Sequence, residues 1–189
     1  MYKTCNTEES VLRQQQLEDC LLKNMLQKSY GEISVSDLCE QAAISRKSFY
    51  RYFGNKDGCL CALLDRVLIN ASKYESPMDR GCHSPEMFHA LAYWKSQKPL
   101  LDALTANGLT TKLLDRSVHH MTHEDKDTMR WLGIKDVEHD METLLFTIAG
   151  YITVLFYWNE HGYPKSVQEM TNVMNRLMFA PLMDMNQKG

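Results

Sequence analysis

This sequence predicts an all-helical fold, an N-terminal three-helix unit followed by a larger helical part, on three observations. Apolar residues recur at three- and four-residue spacing between turn signals. Two short stretches, each opened by a Ser N-cap, are joined by a tight turn in the helix-turn-helix pattern. The run Ile44 to Lys56 contains no acidic residue and interleaves Arg46, Lys47, Arg51 and Lys56 with Phe49, Tyr50, Tyr52 and Phe53, in a chain of formal net charge -3. Such a local reversal of sign on a short capped helix points to a phosphate backbone as the partner.

Composition bounds the remaining classes. At 189 residues the chain can bury a real core, and 44% apolar and 24% charged residues are ordinary for a globular protein. The polar Met1 to Ser10 carries no signal-peptide hydrophobic region, so a cytoplasmic location is expected. Cys5, Cys20, Cys39, Cys59, Cys61 and Cys82 form no Cys-x-x-Cys pair and read as buried free thiols. Thr143 to Asn159 is uncharged and at the low end of what could cross a bilayer, but it holds Thr147, Gly150 and Asn159 and lacks a basic flank. A helix buried on two faces is the expectation, without a membrane partner.

Taken in order, Glu9 to about Tyr30 places Val11, Leu12, Leu17, Leu21, Leu22, Met25 and Leu26 at helical spacing and ends at Gly31. Ser34 then N-caps a short helix with Asp37 three residues on, a capping-box-like start. After the turn Ala42 to Ser45, Ser45 caps a helix from Arg46 to Phe53. On its wheel Phe49 and Phe53 define a buried face, Lys47 and Arg51 point nearly opposite with Ser48 beside them, and Arg46, Tyr50 and Tyr52 lie on the flanks. Asp57 opens a fourth helix along Leu60, Leu63, Leu64, Val67, Leu68 and Ala71, with Lys56 at its N-terminal end where it could meet a phosphate. Glu75 to Pro85 is a break.

The stretch from Ile33 to Asp57, Ile-Ser-Val-Ser-Asp-Leu-Cys-Glu-Gln-Ala-Ala-Ile-Ser-Arg-Lys-Ser-Phe-Tyr-Arg-Tyr-Phe-Gly-Asn-Lys-Asp, resembles the DNA-binding signature of TetR-type bacterial regulators. Lys47 departs from the family pattern, which often has a small residue there. The resemblance implies a DNA-binding domain at 1–56, a connecting helix at 57–75 and a dimerisation and ligand-binding domain at 76–189. It implies a homodimeric regulator, a repressor, on a palindromic duplex operator. Ser34, Val35, Ser45 and Arg46 join the DNA contacts. Lys47 and Ser48 would reach base edges, and Tyr50, Arg51, Tyr52 and Lys56 would hold phosphates.

The remaining helices carry less chemistry. Ser84-Pro85 opens one through Phe88, Leu91 and Trp94, and Pro99 starts another that stops at Asn107-Gly108. Leu109 to His123 follows, then an irregular connector from Glu124 to Gly133. The Tyr93-Trp94 to Gly108-Leu109 stretch resembles the short effector domain of TetR-type proteins from Gram-positive bacteria. Asp136 to Glu160 is a long apolar helix, and Pro164 starts a last one to about Met183. The resemblance implies that these two form the dimer interface.

Phe88, Tyr93, Trp94, Leu104, Met121, Trp131 and Phe146 are candidate linings for an effector, a small molecule or a partner protein. His119 and His123 are four apart with His120 and Glu124 adjacent, a metal-capable spacing, but no second ligand cluster supports it and no metal is predicted. No nucleophile elbow or phosphate-binding Gly loop is present, so neither an enzyme nor a cofactor is predicted.

Overall fold

The computed structural model describes residues 2, 7–75, 84–123 and 140–179, and among these every regular element is helical. The elements are α1 (Glu8–Met25), a 3₁₀ turn (Tyr30–Glu32), α2 (Val35–Gln41), α3 (Arg46–Phe53), α4 (Lys56–Ala71), α5 (Pro85–Ser96), α6 (Lys98–Ala106), α7 (Thr110–His123), α8 (Met141–Glu160) and α9 (Val167–Phe179). The chain divides into two compact units, Met1–Ile69 with Pro99–Glu124, and Asn70–Lys98 with Asp125–Gly189. Residues 99–124 thus fall in the same unit as the N-terminal residues.

In the first unit each cap does what its side chain allows. Ser34 accepts a bond from the Asp37 N–H at 3.0 Å, and Ser45 accepts one from Ser48 at 3.1 Å. The Asp37 carboxylate also accepts from Lys28 at 3.0 Å, and it lies below the usual range chiefly because Ser34 bonds it. The turn between α2 and α3 holds Ala43 at φ 52, a left-handed position that costs a non-glycine residue strain.

α1 ends at Met25, five residues before the periodicity suggested, because the chain turns under to form the 3₁₀ segment. Leu17, Leu21, Leu38, Phe49, Leu60, Leu64, Leu101, Leu104 and Leu113 are wholly buried there. Losing one such side chain to Ala costs about 2–5 kcal/mol.

α3 and α4 meet without a gap. A Cβ at Gly58 would lie 2.0 Å from the Phe53 carbonyl oxygen, so only glycine fits, and the Gly58 N–H donates to Asn55 Oδ1 at 2.8 Å. Ion pairs join α1, α4 and α7. Arg66 donates to Glu18 at 2.5 Å and Asp19 at 2.6 Å, while Arg116 bonds both Asp65 oxygens at 2.7 and 2.6 Å. Burial pushes Glu18 up to about 7, against the pull of Arg66.

In the second unit α5 packs on α9. α9 begins at Val167, three residues after the expected proline, because Ser166 and Glu169 form a reciprocal capping box, with Ser166 N–H to Glu169 at 2.7 Å and Glu169 N–H to Ser166 at 3.2 Å. Ser84 holds the N-cap position of α5 but makes no side-chain cap bond.

α8 is long and apolar enough to cross a membrane by length and composition. Its buried stripe is Leu144, Ile148, Ile152, Leu155, Phe156 and Trp158, whereas Leu145, Phe146 and Tyr157 are exposed, Phe146 to 74%. Within one chain, therefore, α8 is covered on one face and not the two expected. Residues 136–139 and 180–183 of the expected dimerisation helices lie outside the described residues.

Candidate nucleic-acid interface

The outer face of α3 follows from its sequence spacing. The Phe49 and Phe53 rings lie 5.2 Å apart, tilted, and are buried, which turns Arg46, Lys47, Tyr50 and Arg51 outward, with Ser48 half-buried beside them. Among the described residues neither Arg46 nor Lys47 takes part in an ion pair, so their charge faces solvent uncompensated. Cations on one face of a short helix, with hydroxyls at its start, suit phosphates and the acceptors of a major groove. Ser34 and Ser45 are exposed and Val35 half-buried at the adjoining helix starts.

Two expected phosphate contacts are placed otherwise. Tyr52 is 3% exposed, packed at 6.1 Å from Phe53, and its hydroxyl accepts from Arg51 at 3.3 Å. The wheel put it on a flank, but the flank is closed by the core of the unit. Lys56 donates to the carbonyls of Tyr30 at 2.5 Å and Ile33 at 2.9 Å and lies 4.3 Å over the Tyr30 ring. Its ammonium caps the 3₁₀ turn from the first turn of α4, so two of its three donors are taken within the fold.

Residues that the sequence did not single out complete the surface. An open depression of about 470 Å³ is lined by Arg13, Gln16, the turn Ala42 to Ser45, and Ser48. Arg13 pairs there with exposed Glu9 at 2.6 Å. Polar residues on the outer face of an amphipathic helix carry no signal that tells a binding surface from a solvated one.

The described candidate effector residues fall in both units. Phe88, Tyr93 and Trp94 lie in the second unit, the first half-buried and the others buried, while Leu104 and Met121 belong to the first. Phe146 is exposed and lines no interior, because it sits opposite the buried stripe of α8. Trp131 lies outside the described residues.

The His119 and His123 rings stack at 4.5 Å, and His123 Nδ1 donates to the His119 carbonyl, which can only accept. That nitrogen is thereby withdrawn from metal binding. His119 Nδ1 lies 3.4 Å from Arg116. Among the described residues no group of three or more His, Cys, Asp or Glu could hold a metal. Cys20, Cys39, Cys59 and Cys61 are free thiols, Cys39 and Cys59 buried and the other two half-buried, and burial raises each above the usual thiol range. Cys5 and Cys82 lie outside the described residues.

A capped helix-turn-helix with a cationic outer face makes α3 a candidate nucleic-acid interface. A family model described as "Bacterial regulatory proteins, tetR family" matches residues 22–63. The HTH-type transcriptional regulator EthR of Mycobacterium tuberculosis (strain ATCC 25618 / H37Rv) is 46% identical over 50 residues, 26% of this chain and 23% of that protein. EthR of Mycolicibacterium smegmatis is 46% identical over 44 residues, 23% and 20% of the two chains. The matches thus span less than a quarter of these relatives' length. A crystal structure of a tetR-family transcriptional regulator from Streptomyces coelicolor is alike in fold, with TM-score 0.52 and 18% identity over 92% of this chain and 80% of that one.

Proposed function

We propose that this chain represses transcription as a homodimer bound to a palindromic operator, released by an effector that alters the spacing of the two DNA-binding heads. The observation that carries the DNA side is the outer face of α3, where Arg46, Lys47 and Arg51 stand exposed around Ser48 while the aromatic residues behind them are buried. Lys47 and Ser48 read base edges, and Tyr50, Arg51 and Arg46 hold phosphates. The exposed Leu145, Phe146 and Tyr157 on α8 support dimerisation, since an apolar face of this kind is ordinarily covered by a partner. Two copies joined there would present two α3 helices to successive major grooves, and affinity would depend on one half-site separation. An effector that favours another separation releases the operator by population shift.

The test is selection of bound fragments from random duplex DNA, with and without candidate metabolites. A palindromic consensus that metabolite weakens supports the reading. Lys47→Ala should then change preference at one base position, by about 1–3 kcal/mol where a guanine is read. Equal loss on selected and random duplexes would overturn base reading by Lys47.

A further inference from the structure

We propose that Asn107, at the end of α6, is a positioning residue for DNA reading: it fixes the backbone between α1 and α2, and with it the angle at which α2 and α3 present their outer face. The proposal rests on the DNA-binding reading above.

The path from Met25 to Ser34 is not fixed by apolar packing. Met25 and Ile33 are buried at its ends, but Leu26, Ser29, Gly31 and Glu32 between them are exposed. Its backbone groups are held instead by side chains from elsewhere. The Leu22 and Asn24 carbonyls at the end of α1 receive local N–H groups, whereas the Met25 carbonyl accepts from Asn107 Nδ2 at 3.1 Å. The Tyr30 N–H donates to Asn107 Oδ1 at 2.5 Å. A single amide, 82 positions along the chain from Met25, therefore ties the last carbonyl of α1 to the start of the 3₁₀ turn.

The orientation of that amide is determined by chemistry. Nδ2 also donates to the Ala103 carbonyl at 2.8 Å, and carbonyls only accept, while the Tyr30 N–H only donates. The amide cannot be turned over without losing all three bonds. Its position is fixed as well, because α6 stops there: Gly108 adopts φ 64 and the Leu109 N–H returns to the Leu104 carbonyl at 2.8 Å.

Lys56 clamps the same turn from the opposite side through the Tyr30 and Ile33 carbonyls, and the Tyr30 hydroxyl donates to Asp57 at 2.7 Å. Without Asn107 these bonds remain, as do the Ser29–Glu32 box within the turn, Asn24–Gln41 and Lys28–Asp37, so the turn persists. What is lost is the tie of the Met25 carbonyl and the Tyr30 N–H to the end of α6. Reading of base edges depends on angle more steeply than contact with phosphates does, because base hydrogen bonds are directional and phosphate attraction is largely Coulombic.

The experiment compares wild type with Asn107→Ala, Asn107→Asp and Asn107→Gln by fluorescence anisotropy, on a duplex enriched from a random pool by the wild type and on a scrambled duplex at the same salt. Asn107→Ala should lose about tenfold in affinity for the enriched duplex and less than about twofold for the scrambled one, so that the specificity ratio falls. Asn107→Gln, which keeps donor and acceptor, recovers part of that ratio, and Asn107→Asp, which keeps only the acceptor, does not. Where Asn107→Ala fails to fold, Asn107→Asp carries the comparison. Equal loss on both duplexes marks a merely structural residue and overturns the proposal, as does an unchanged ratio. If the wild type itself enriches no duplex, the DNA-binding reading falls, and this proposal with it.

Discussion

Glu18→Gln should change how the stability of this protein depends on pH. Glu18 is 2% exposed and bonded to Arg66 at 2.5 Å, yet burial outweighs the ion pair and raises its carboxyl from 4.5 to about 7. A carboxyl that ionises less readily in the fold than in the unfolded chain contributes stability that is fully present below about 4.5 and is lost as pH rises through about 7. The difference of some two and a half pH units corresponds to about 3 kcal/mol. Urea unfolding of wild type and Glu18→Gln, at fixed protein concentration from pH 4.5 to 8, isolates the effect. The exposed carboxylates whose bonds to Ser29, Ser34 and Ser166 hold them below the usual range, namely Glu32, Asp37 and Glu169, act oppositely but equally in both proteins. The advantage of wild type over variant should shrink by about 3 kcal/mol across that range. An advantage that stays level, or grows with pH, would refute the reasoning and mean that Arg66 holds Glu18 ionised.

Other outcomes follow from the same geometry. Lys56→Ala should weaken DNA binding by loosening the 3₁₀ turn, without changing the slope of log affinity against log salt; a slope reduced by about one would instead return Lys56 to the phosphates. Phe49→Ala should cost about 3–5 kcal/mol by calorimetric or urea unfolding, since it opens a cavity behind α3. Phe146→Glu should shift sedimentation toward monomer while leaving the helical circular dichroism of the monomer intact. Ser166→Ala should cost about 1 kcal/mol through the lost capping box, measured by unfolding.

What could be read before the structure was local chemistry. Ser34 and Ser45 announce their helices because a side-chain oxygen three residues ahead of an N–H is a purely local event, and Phe49 with Phe53 gives the buried face because four residues close one helical turn. The Ser166 box was equally local and overlooked in favour of Pro164. The burial of Tyr52 and the bonds of Lys56 to the Tyr30 and Ile33 carbonyls come from other elements, which neither a wheel nor a place at a helix start reveals. Asn107 was read as a helix stop, which it is. Its bonds to Met25 and Tyr30 depend on the approach of α6 to α1, which no periodicity encodes. The effector residues were hard to place for a related reason, since an aromatic at helical spacing looks the same whether it faces a core, a cavity or, like Phe146, solvent.

The contact at Gly58 bears on how this protein could acquire a different operator. With the Phe53 carbonyl lying where a β-carbon would otherwise stand, α3 can neither rotate about its axis nor slide along it without moving the start of α4. On the proposed function, changes of preference would come from exchanging side chains on this platform, chiefly at Lys47 and Ser48 and at neighbouring Arg51. Re-tilting the helix would require rebuilding the joint itself. A library varied at those three positions should thus sample new half-sites while keeping the same spacing between them.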